Sequence, residues 1–435
     1  MKAISFLGAG PAFETTYYLT DGSEHTAPFF PAALVRFYPV DTLLVFVTAG
    51  ARSMHYDRLV ELTQEFVPSI LPVNIPDGRN EVELWQIFTA VADTVDPEDR
   101  VIFDITHGFR SLPFLSFLAA AYLRSIKRVT LEAVLYGALE AGDKTIRPAR
   151  APVFDLSRFV SLLDWLTASD RFIRFGDARD LAEILRDSEA TPVHLAAASG
   201  DPQAQHMARI LRRSAAEMEK VALPLRLARS VETMDAATNL GKALSTARVG
   251  FQQWAPPFGL IADEVRDAYA PLALADPLNP ENITASLNIQ RQLVIWYLEK
   301  QQIVQAVTLG NEWLLSWIMS WLGELPLNNR SRRFTVSNRV VKALKRRQIG
   351  EVEPLPNSNQ PDPAEGLQKV PGLEDVLVLF GQLGELRNDL NHGGFREQAM
   401  SATTLAYNAE IYCRQLIKLP LPGQVESSRA KGVSD

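Results

Sequence analysis

The chain has 435 residues, 47% of them apolar, and a formal net charge of -7. This length exceeds one ordinary domain, and the apolar content is enough to bury at least two sizeable cores. The negative charge repels nucleic-acid phosphates over most of the surface, so any nucleic-acid site has to be local.

The apolar runs of the chain are shorter than the ~18 residues that a membrane span needs. Gly8, Gly10 and Pro11 interrupt the opening apolar run before it takes the form of a signal peptide. The single cysteine, Cys413, excludes a disulfide framework and a cysteine-based zinc site. We therefore expect a cytoplasmic protein with no membrane partner, no metal and no bound cofactor.

Residues 1–154 alternate short β-like runs with helical patterns. The predicted strands are AISFLG, TLLVFVTA, ILPVNIP, RVIFDIT and RVTLEAVLYGA. Helical patterns lie near 52–66, 80–95 and 111–126. This alternation predicts an α/β Rossmann-like domain, with a parallel sheet covered by helices on both faces. Such sheets bind ligands at the carboxyl ends of their strands.

From Asp155 the β signal fades, and helical periodicity continues almost to the end of the chain. This pattern predicts an all-α region, which we divide into a helical linker region (155–283) and a C-terminal helical domain (284–420). Residues 421–435 have no apolar periodicity, so we expect a disordered tail there.

Small residues follow the first two predicted strands. Gly8 and Gly10 come after the first strand, and Thr48, Ala49 and Gly50 come after the second. Such residues let a ligand phosphate approach the backbone. The third glycine of a dinucleotide fingerprint is replaced by phenylalanine in FLGAGPAF, so this signal is weak by itself.

The stretch FDITHGFRSL is a more specific signal, because polar groups connect a buried strand to a predicted helix. Helix N-termini favour anions, and threonine, histidine, arginine and serine side chains all donate hydrogen bonds to phosphates. A lone histidine here is more often structural, but the surrounding donors favour a ligand site. The residues concerned are Thr106, His107, Gly108, Phe109 and Arg110.

The stretch ELRNDLNHGG places several polar side chains on one predicted helix, which the two glycines end. At ~100° per residue, Asn388 and His392 lie one turn apart on the same face, and Arg387 has to reach around the helix. In one interpretation these residues form a catalytic site. In another, Arg387 and Asp389 form an exposed ion pair and His392 only ends the helix.

A second polar stretch, RSRRFTVSNRVVKALKRR at 330–347, carries eight basic residues and no acidic one. Such a run is often a solvated helix face. Its position upstream of the ELRNDLNHGG helix instead favours a phosphate-facing role. The residues concerned are Arg332, Arg333, Lys342 and Arg346, which become the predicted RNA-binding residues under the resemblance given next.

Taken together, FLGAGPAFETTYYL, LLVFVTAGA and DITHGFRSLP resemble the N-terminal CARF domain of the CRISPR-associated CARF-HEPN ribonucleases of type III systems, in the Csx branch. RNDLNH resembles the R-x4-6-H motif of HEPN ribonuclease domains. The resemblance implies a CARF-like domain at 1–154 and a HEPN-like domain at 284–420. NEWLLSW, with Asn311 and Glu312, resembles the HEPN helix that packs against the motif helix.

The resemblance also implies how such a protein works. A homodimer, or a higher oligomer of dimers, binds a cyclic oligoadenylate messenger, of which we favour cyclic tetra-adenylate, and then cleaves single-stranded RNA. The implied messenger site comprises Gly8, Gly10, Thr48, Ala49, Gly50, Thr106, His107, Gly108, Phe109 and Arg110. His392 suits proton transfer, Arg387 suits phosphate charge, and Asn388 suits holding the scissile phosphate or the imidazole, with no metal required.

Two alternatives remain open at this point. One is a Rossmann-type nucleotide-binding regulator or oxidoreductase, against which stand the missing third glycine and the absence of a ribose-binding acid in VTAGAR. The other is a messenger-binding protein whose HEPN-like part is a catalytically inert dimerisation scaffold. Activity towards single-stranded RNA distinguishes this last alternative from the ribonuclease.

Overall fold

The structure is a computed structural model that describes residues 1–106, 112–143, 145–188, 200–348 and 366–422. The chain divides into two compact units, Met1–Asp164 and Trp165–Asp435. Each unit has its own hydrophobic core. They are called the N-terminal unit and the helical unit below.

The N-terminal unit is built on a single sheet of eight strands in the order β3-β2-β8-β7-β6-β1-β4-β5. Five neighbouring strands, from β7 to β5, are parallel, whereas β8 is antiparallel to β7 and β3 is antiparallel to β2. The strands are β1 (Lys2–Leu7), β2 (Thr15–Tyr18), β3 (Glu24–Ala27), β4 (Thr42–Val47), β5 (Ser69–Asn74), β6 (Arg100–Asp104), β7 (Thr130–Gly137) and β8 (Ala149–Asp155).

Helices pack on both faces of this sheet because its central strands are apolar on both sides. In β1, Ala3 and Leu7 enter one core layer, whereas Ile4 and Phe6 enter the other. The helices are α1 (Phe30–Phe37), α2 (Ala49–Ala51), α3 (Asp57–Thr63), α4 (Glu81–Asp93) and α5 (Leu112–Lys127). Helix α6 (Ser157–Phe175) follows β8; its Val160 enters this core, whereas Trp165, Ala168 and Phe172 enter the core of the helical unit. A π-helical turn, Arg52–Tyr56, joins α2 to α3. The prediction of an α/β sheet domain is confirmed.

The helical unit consists of ten further helices in the described ranges, which confirms the predicted mostly helical region. These are α7 (Arg179–Asp187), α8 (Pro202–Arg226), α9 (Ser230–Trp254), α10 (Pro256–Gly259), α11 (Ala262–Tyr269), α12 (Ile283–Glu299), α13 (Ile303–Leu322), α14 (Arg330–Gln348), α15 (Leu373–Asn391) and α16 (Ala402–Gln415). One core runs from Trp165 to Leu421. The predicted linker region 155–283 therefore contributes side chains to the same core as the predicted domain 284–420.

The buried tryptophans of α13 connect this core to distant backbone. Trp313 Nε1 donates to the Leu287 carbonyl at 2.7 Å, and Trp317 Nε1 donates to the Pro420 carbonyl at 2.8 Å. Leu421 is buried, and the Pro422 carbonyl accepts from Thr284 Oγ1 at 3.0 Å. Residues 421 and 422, placed in the tail by sequence, are thus packed on the unit, and 423–435 lie outside the described residues. In the described part of the chain, no helix combines the length and the apolar composition that a membrane span requires.

Candidate functional site

Three strands bring the sequence-predicted ligand residues to one edge of the N-terminal sheet. Strand β1 lies between β6 and β4 and is parallel to both, with Leu7 opposite Val47 and Ser5 opposite Asp104. The carboxyl ends of parallel strands share an edge, so Gly8, Thr48 and Thr106 follow their strands on the same side of the sheet.

The loop after β1 and the first turn after β4 touch each other at this edge. A Cβ atom built on Gly50 would lie 3.8 Å from the Ala9 Cβ atom. Gly10, Ala49 and Gly50 are exposed, so their backbone is accessible to a ligand. Thr48 differs from its neighbours: its side chain is buried, and Oγ1 caps α2 by accepting from Ala51 N at 3.3 Å.

Thr106 is fixed by hydrogen bonds in the described part of the chain. Its amide donates to Asp104 Oδ1 at 2.8 Å, and its Oγ1 accepts from the amide of Gly137 at 2.9 Å. Asp104 is fully buried and also accepts from Ser5 Oγ, so it ties the ends of β1 and β6 together. The other four predicted messenger contacts, His107, Gly108, Phe109 and Arg110, lie outside the described residues and stay predictions.

Two polar residues at this edge were not predicted as site residues. His55 Nε2 lies 2.8 Å from the Gly10 carbonyl oxygen, and Arg52 Nη1 donates to Asn74 Oδ1 at 2.7 Å. Both arise from the π-helical turn, and such turns occur frequently at functional sites. The signal was their position in VTAGARSMHYDRL, within two helical turns of a strand end.

In the helical unit, Arg387 of the predicted motif is held by two residues of α13. Its Nη1 donates to Asn311 Oδ1 at 2.9 Å and lies 3.1 Å from Glu312 Oε1. The other oxygen of the Glu312 carboxylate, Oε2, lies 2.6 Å from Arg333 Nη2. One carboxylate therefore connects arginines from α14 and α15. Arg387 keeps 41% of its side chain exposed, so its guanidinium remains accessible to a phosphate.

Asn388 and His392 are both exposed at the end of α15. The amide of His392 donates to the Asn388 carbonyl at 3.2 Å, which confirms that these residues are one helical turn apart. The helix ends at Asn391, and Gly393 and Gly394 follow with φ of 57° and 83°, a conformation that favours glycine. The imidazole and the Asn388 side chain are therefore both exposed at this helix end.

The exposed ion pair between Arg387 and Asp389, considered as an alternative from sequence, does not form between these two described residues. Asp389 is buried, its Oδ2 accepts from the Met400 amide at 3.0 Å, and Arg396 Nη1 lies 3.9 Å from the same oxygen. Arg387 contacts Glu312 instead. The reason is helical spacing, because Asp389 follows the buried Leu386 by three residues and so lies on the core side of α15.

The four basic residues predicted to bind RNA occupy different environments on α14. Lys342 is exposed, Arg346 is partly exposed, and Arg332 is exposed with its guanidinium near Glu324, at 3.7 Å. Arg333 is only 20% exposed, and its Nη1 donates to Ser316 Oγ at 2.8 Å and to the Leu327 carbonyl at 2.9 Å. Arg333 is thus packed against α13 and the loop before α14, and it is not part of an exposed basic face.

Comparison with known proteins connects the N-terminal unit to CRISPR defence. Residues 2–140 match the family described as "CRISPR system endoribonuclease Csx1, CARF domain". Over 115 residues the chain is 28% identical to the CRISPR-associated protein MJ1674 of Methanocaldococcus jannaschii. The aligned part is 26% of this chain and spans 18% of that relative's length.

These two similarities support a CRISPR-associated protein with a CARF domain, and the matched residues include the strand ends that form the sheet edge described above. The family match ends at residue 140, within the N-terminal unit. The chemistry of the helical unit therefore has to be argued from its own geometry.

Proposed function

We propose that this chain is a ribonuclease of type III CRISPR defence that cleaves single-stranded RNA without a metal when its N-terminal unit binds a cyclic oligoadenylate. The similarity of residues 2–140 to a Csx1 CARF domain supports the messenger class. The accessible backbone at Gly10, Ala49 and Gly50 supports the location of the messenger, because ring phosphates can approach it closely.

The observation that carries the ribonuclease activity is the arrangement at the end of α15. Arg387 is held by Asn311 and Glu312, and Asn388 and His392 are exposed at the helix end that follows. A held guanidinium and an exposed imidazole, five positions apart at the end of one helix, are suited to a phosphodiester, since one group stabilises charge and the other transfers a proton.

The reaction needs only groups that this chain and RNA supply. The 2'-oxygen of the ribose loses a proton and attacks the adjacent phosphorus, and the bond from phosphorus to the 5'-oxygen breaks. The leaving oxygen takes up a proton, so the products are a 2',3'-cyclic phosphate and a 5'-hydroxyl. Arg387 stabilises the charge that builds on the phosphoryl oxygens, and His392 transfers a proton. Asn388 orients the phosphate or the imidazole.

The inert-scaffold alternative finds some support in the same contacts, because an arginine paired with a carboxylate can serve structure alone. Surface ion pairs of this kind contribute only ~0–1 kcal/mol to stability. Replacing Arg387 by alanine therefore distinguishes the two functions. A scaffold would lose little stability, whereas the ribonuclease would lose its activity.

The deciding experiment mixes the pure protein with cyclic oligoadenylates of each ring size and follows a fluorescent single-stranded RNA reporter. We expect cleavage with one ring size, resistance of that cleavage to chelators, and its loss in Arg387→Ala and His392→Ala. Cleavage that chelators abolish would contradict the metal-free mechanism. Cyclic oligoadenylate binding without cleavage would favour the scaffold.

A further inference from the structure

The helical unit contains a cavity next to the predicted cleavage site that the proposed reaction does not use. It has a volume of about 450 Å³ and lies between the start of α9, helices α12 and α13, and the loop before α14. Its wall includes Ser230, Gln290, Ser316 and Asn328. Cavities of ~300–1,000 Å³ are the size that binds small organic molecules. We call it the α9–α13 cavity.

The charges in the wall of the α9–α13 cavity compensate each other. Arg333 Nη2 lies 2.6 Å from Glu312 Oε2, and Arg229 Nη2 lies 2.6 Å from Glu232 Oε1. Among the described residues, these four are the charged groups that line the cavity, so its wall carries no net charge. The cavity is therefore not built for a phosphate. Its amide, hydroxyl and aliphatic groups suit a neutral ligand with several hydrogen-bond donors and acceptors.

A single side chain connects this cavity to the motif helix. Glu312 lines the cavity, where its Oε2 contacts Arg333, and its Oε1 lies 3.1 Å from Arg387. A phosphate bound at Arg387 is thus separated from the cavity by one carboxylate. Next to each phosphate, an RNA strand carries a base, which is neutral and rich in hydrogen-bond donors and acceptors.

We infer that the α9–α13 cavity binds a nucleobase next to the scissile phosphate and thereby sets the base preference of cleavage. This inference rests on the proposed ribonuclease function. Unstacked bases of single-stranded RNA are recognised by hydrogen bonds to their edges and by flat or apolar contacts to their faces. The amide of Asn328 and the Oε1 of Gln290, whose Nε2 donates to Ser286 Oγ at 3.0 Å, supply such edge contacts, and Leu278 and Leu309 supply an apolar wall.

The test fills the cavity and measures base preference. Val231 lines the cavity at the first turn of α9 and is not fully buried, so Val231→Trp places an indole in the space for the base. Val249→Trp is the matched control, because Val249 is on the same helix, is 75% exposed and does not line the cavity. RNA reporters that differ in one base on either side of the cleavage site give the preference as a ratio of initial rates.

We expect the wild type and Val249→Trp to share one preference of about tenfold or more, as expected for one well-formed polar contact. Val231→Trp reduces that ratio to near one. Asn328→Ala is a second variant for the case that Val231→Trp does not fold, because Asn328 is exposed and its truncation leaves the helices intact. A base preference that neither folded variant changes overturns the inference while leaving the ribonuclease proposal standing.

A binding measurement tests the base site even if the ribonuclease proposal fails. The four nucleoside 5'-monophosphates are added to the full chain, and saturation-transfer NMR compares the wild type with Val231→Trp. If RNA is not cleaved but one monophosphate binds through its base, and Val231→Trp abolishes that binding, the cavity is a base site and the ribonuclease proposal fails. Equal signals for the wild type and Val231→Trp contradict the base site whether or not RNA is cleaved.

Discussion

Glu312 Oε1 lies 3.1 Å from Arg387 Nη1, which ties the predicted phosphate-binding arginine to a residue 75 positions earlier in the chain. The pair is partly exposed, with 48% and 41% of the two side chains accessible, so solvent weakens its contribution to stability. We therefore expect its main role to be positional. A guanidinium held in one place stabilises a transition state better than one that has to be ordered during the reaction.

A double-mutant cycle tests this positional role. We expect Arg387→Ala to lower activated RNA cleavage by about 100-fold or more, the scale on which removing a transition-state charge contact acts. Glu312→Gln should cost less, about tenfold, and the double variant should be no slower than Arg387→Ala alone because the two residues act through one contact. Arg414→Ala, which breaks only an exposed pair with Glu410 on α16, should leave the rate unchanged. Additive effects would show that Glu312 acts independently of Arg387.

A size series at Gly50 tests the messenger site. Gly50 lies in α2 without a positive φ, and a Cβ there meets only Ala9 at an ordinary 3.8 Å. Gly50→Ala should therefore stabilise the N-terminal unit by about 0.5–1 kcal/mol, because glycine is unfavourable in a helix. Gly50→Leu should raise the cyclic oligoadenylate concentration for half-maximal activity about tenfold or more, through steric overlap with the ligand.

Gly241→Leu provides the control for this series. Gly241 lies on α9 in the helical unit, and an added Cβ meets no atom within 4 Å. The curve of RNA cleavage against cyclic oligoadenylate concentration should be the same for Gly241→Leu as for the wild type. An unchanged curve for Gly50→Leu, with the fold intact by circular dichroism, would place the messenger elsewhere.

The parallel core of the sheet could be predicted because its strands are continuous apolar runs bounded by turn residues. All five predicted strands and the three predicted helices of the N-terminal unit are present. The hairpin of β2 and β3 was missed because TTYY and EHTA are only four residues long and largely polar. Strand β8 was missed because RPARAPVFD contains two prolines, which argue against a strand.

Contacts between distant segments could be predicted less well. Spacing identified Asn388 and His392 as neighbours, and the resemblance of NEWLLSW predicted that α13 packs against the motif helix. Nothing in RNDLNH itself shows that Arg387 pairs with Asn311 and Glu312. The burial of Arg333 did have a signal, since Arg333, Val336, Val340 and Ala343 follow helical spacing along the core side of α14. The number of basic residues in 330–347 does not by itself show that Arg333 is less exposed than its basic neighbours.

The difference in exposure between Arg333 and its basic neighbours predicts that substitutions on α14 have two different effects. Arg332→Ala combined with Lys342→Ala should weaken RNA binding and reduce its salt slope by about 0.7 for each phosphate that is no longer neutralised. Arg333→Ala should instead lower the free energy of unfolding by about 1.5–3 kcal/mol, because its buried or partly buried acceptors are left without a charged donor. Filter binding from low to high salt and urea unfolding measure the two effects. If the variant at Arg332 and Lys342 leaves the slope unchanged, this face of α14 is only solvated.

The single cysteine can be used to measure the folding of the helical unit. Cys413 is fully buried, and burial raises the pKa of its thiol from 9.0 to about 12. The folded state therefore holds the thiol proton more tightly than the unfolded state. This contribution to stability is complete below pH 9 and is lost as the pH rises towards about 12.

We accordingly expect a thiol reagent to label Cys413 slowly in the native protein at about pH 8, below the pKa of either state, and quickly in urea. Cys413→Ser should destabilise the helical unit, because a hydroxyl would replace a thiol in an apolar site next to the Ala306 carbonyl. Cys413→Ala is the matched variant, since it removes the titrating group without adding a polar one. Between about pH 9 and pH 12 its unfolding free energy should decline less than that of the wild type, because the thiol no longer contributes to the decline. A wild type labelled equally fast with and without urea would contradict the burial.

We expect the proposed nuclease site to be composite, formed by two copies of the chain. Transesterification is best served by one group that accepts a proton and another that donates one. Each chain has six histidines, and the other five, His25, His55, His107, His194 and His206, all precede the HEPN-like region 284–420. His392 therefore has no histidine partner within that region. A two-fold pairing of exposed α15 ends would bring two copies of His392 and of Arg387 around one phosphate.

A mixed dimer tests the composite site. One chain is wild type and the other carries His392→Ala, and two different affinity tags isolate the mixed species. A composite site predicts far less than half of wild-type activity, because each site needs both imidazoles, whereas two independent sites predict about half. The matched control pairs the wild type with a His206→Ala chain, since His206 is exposed on α8 outside the motif, and should retain full activity. Half-activity in the His392 mixture would show that each α15 end works alone, and messenger control would then have to act within one chain rather than through the distance between two helices.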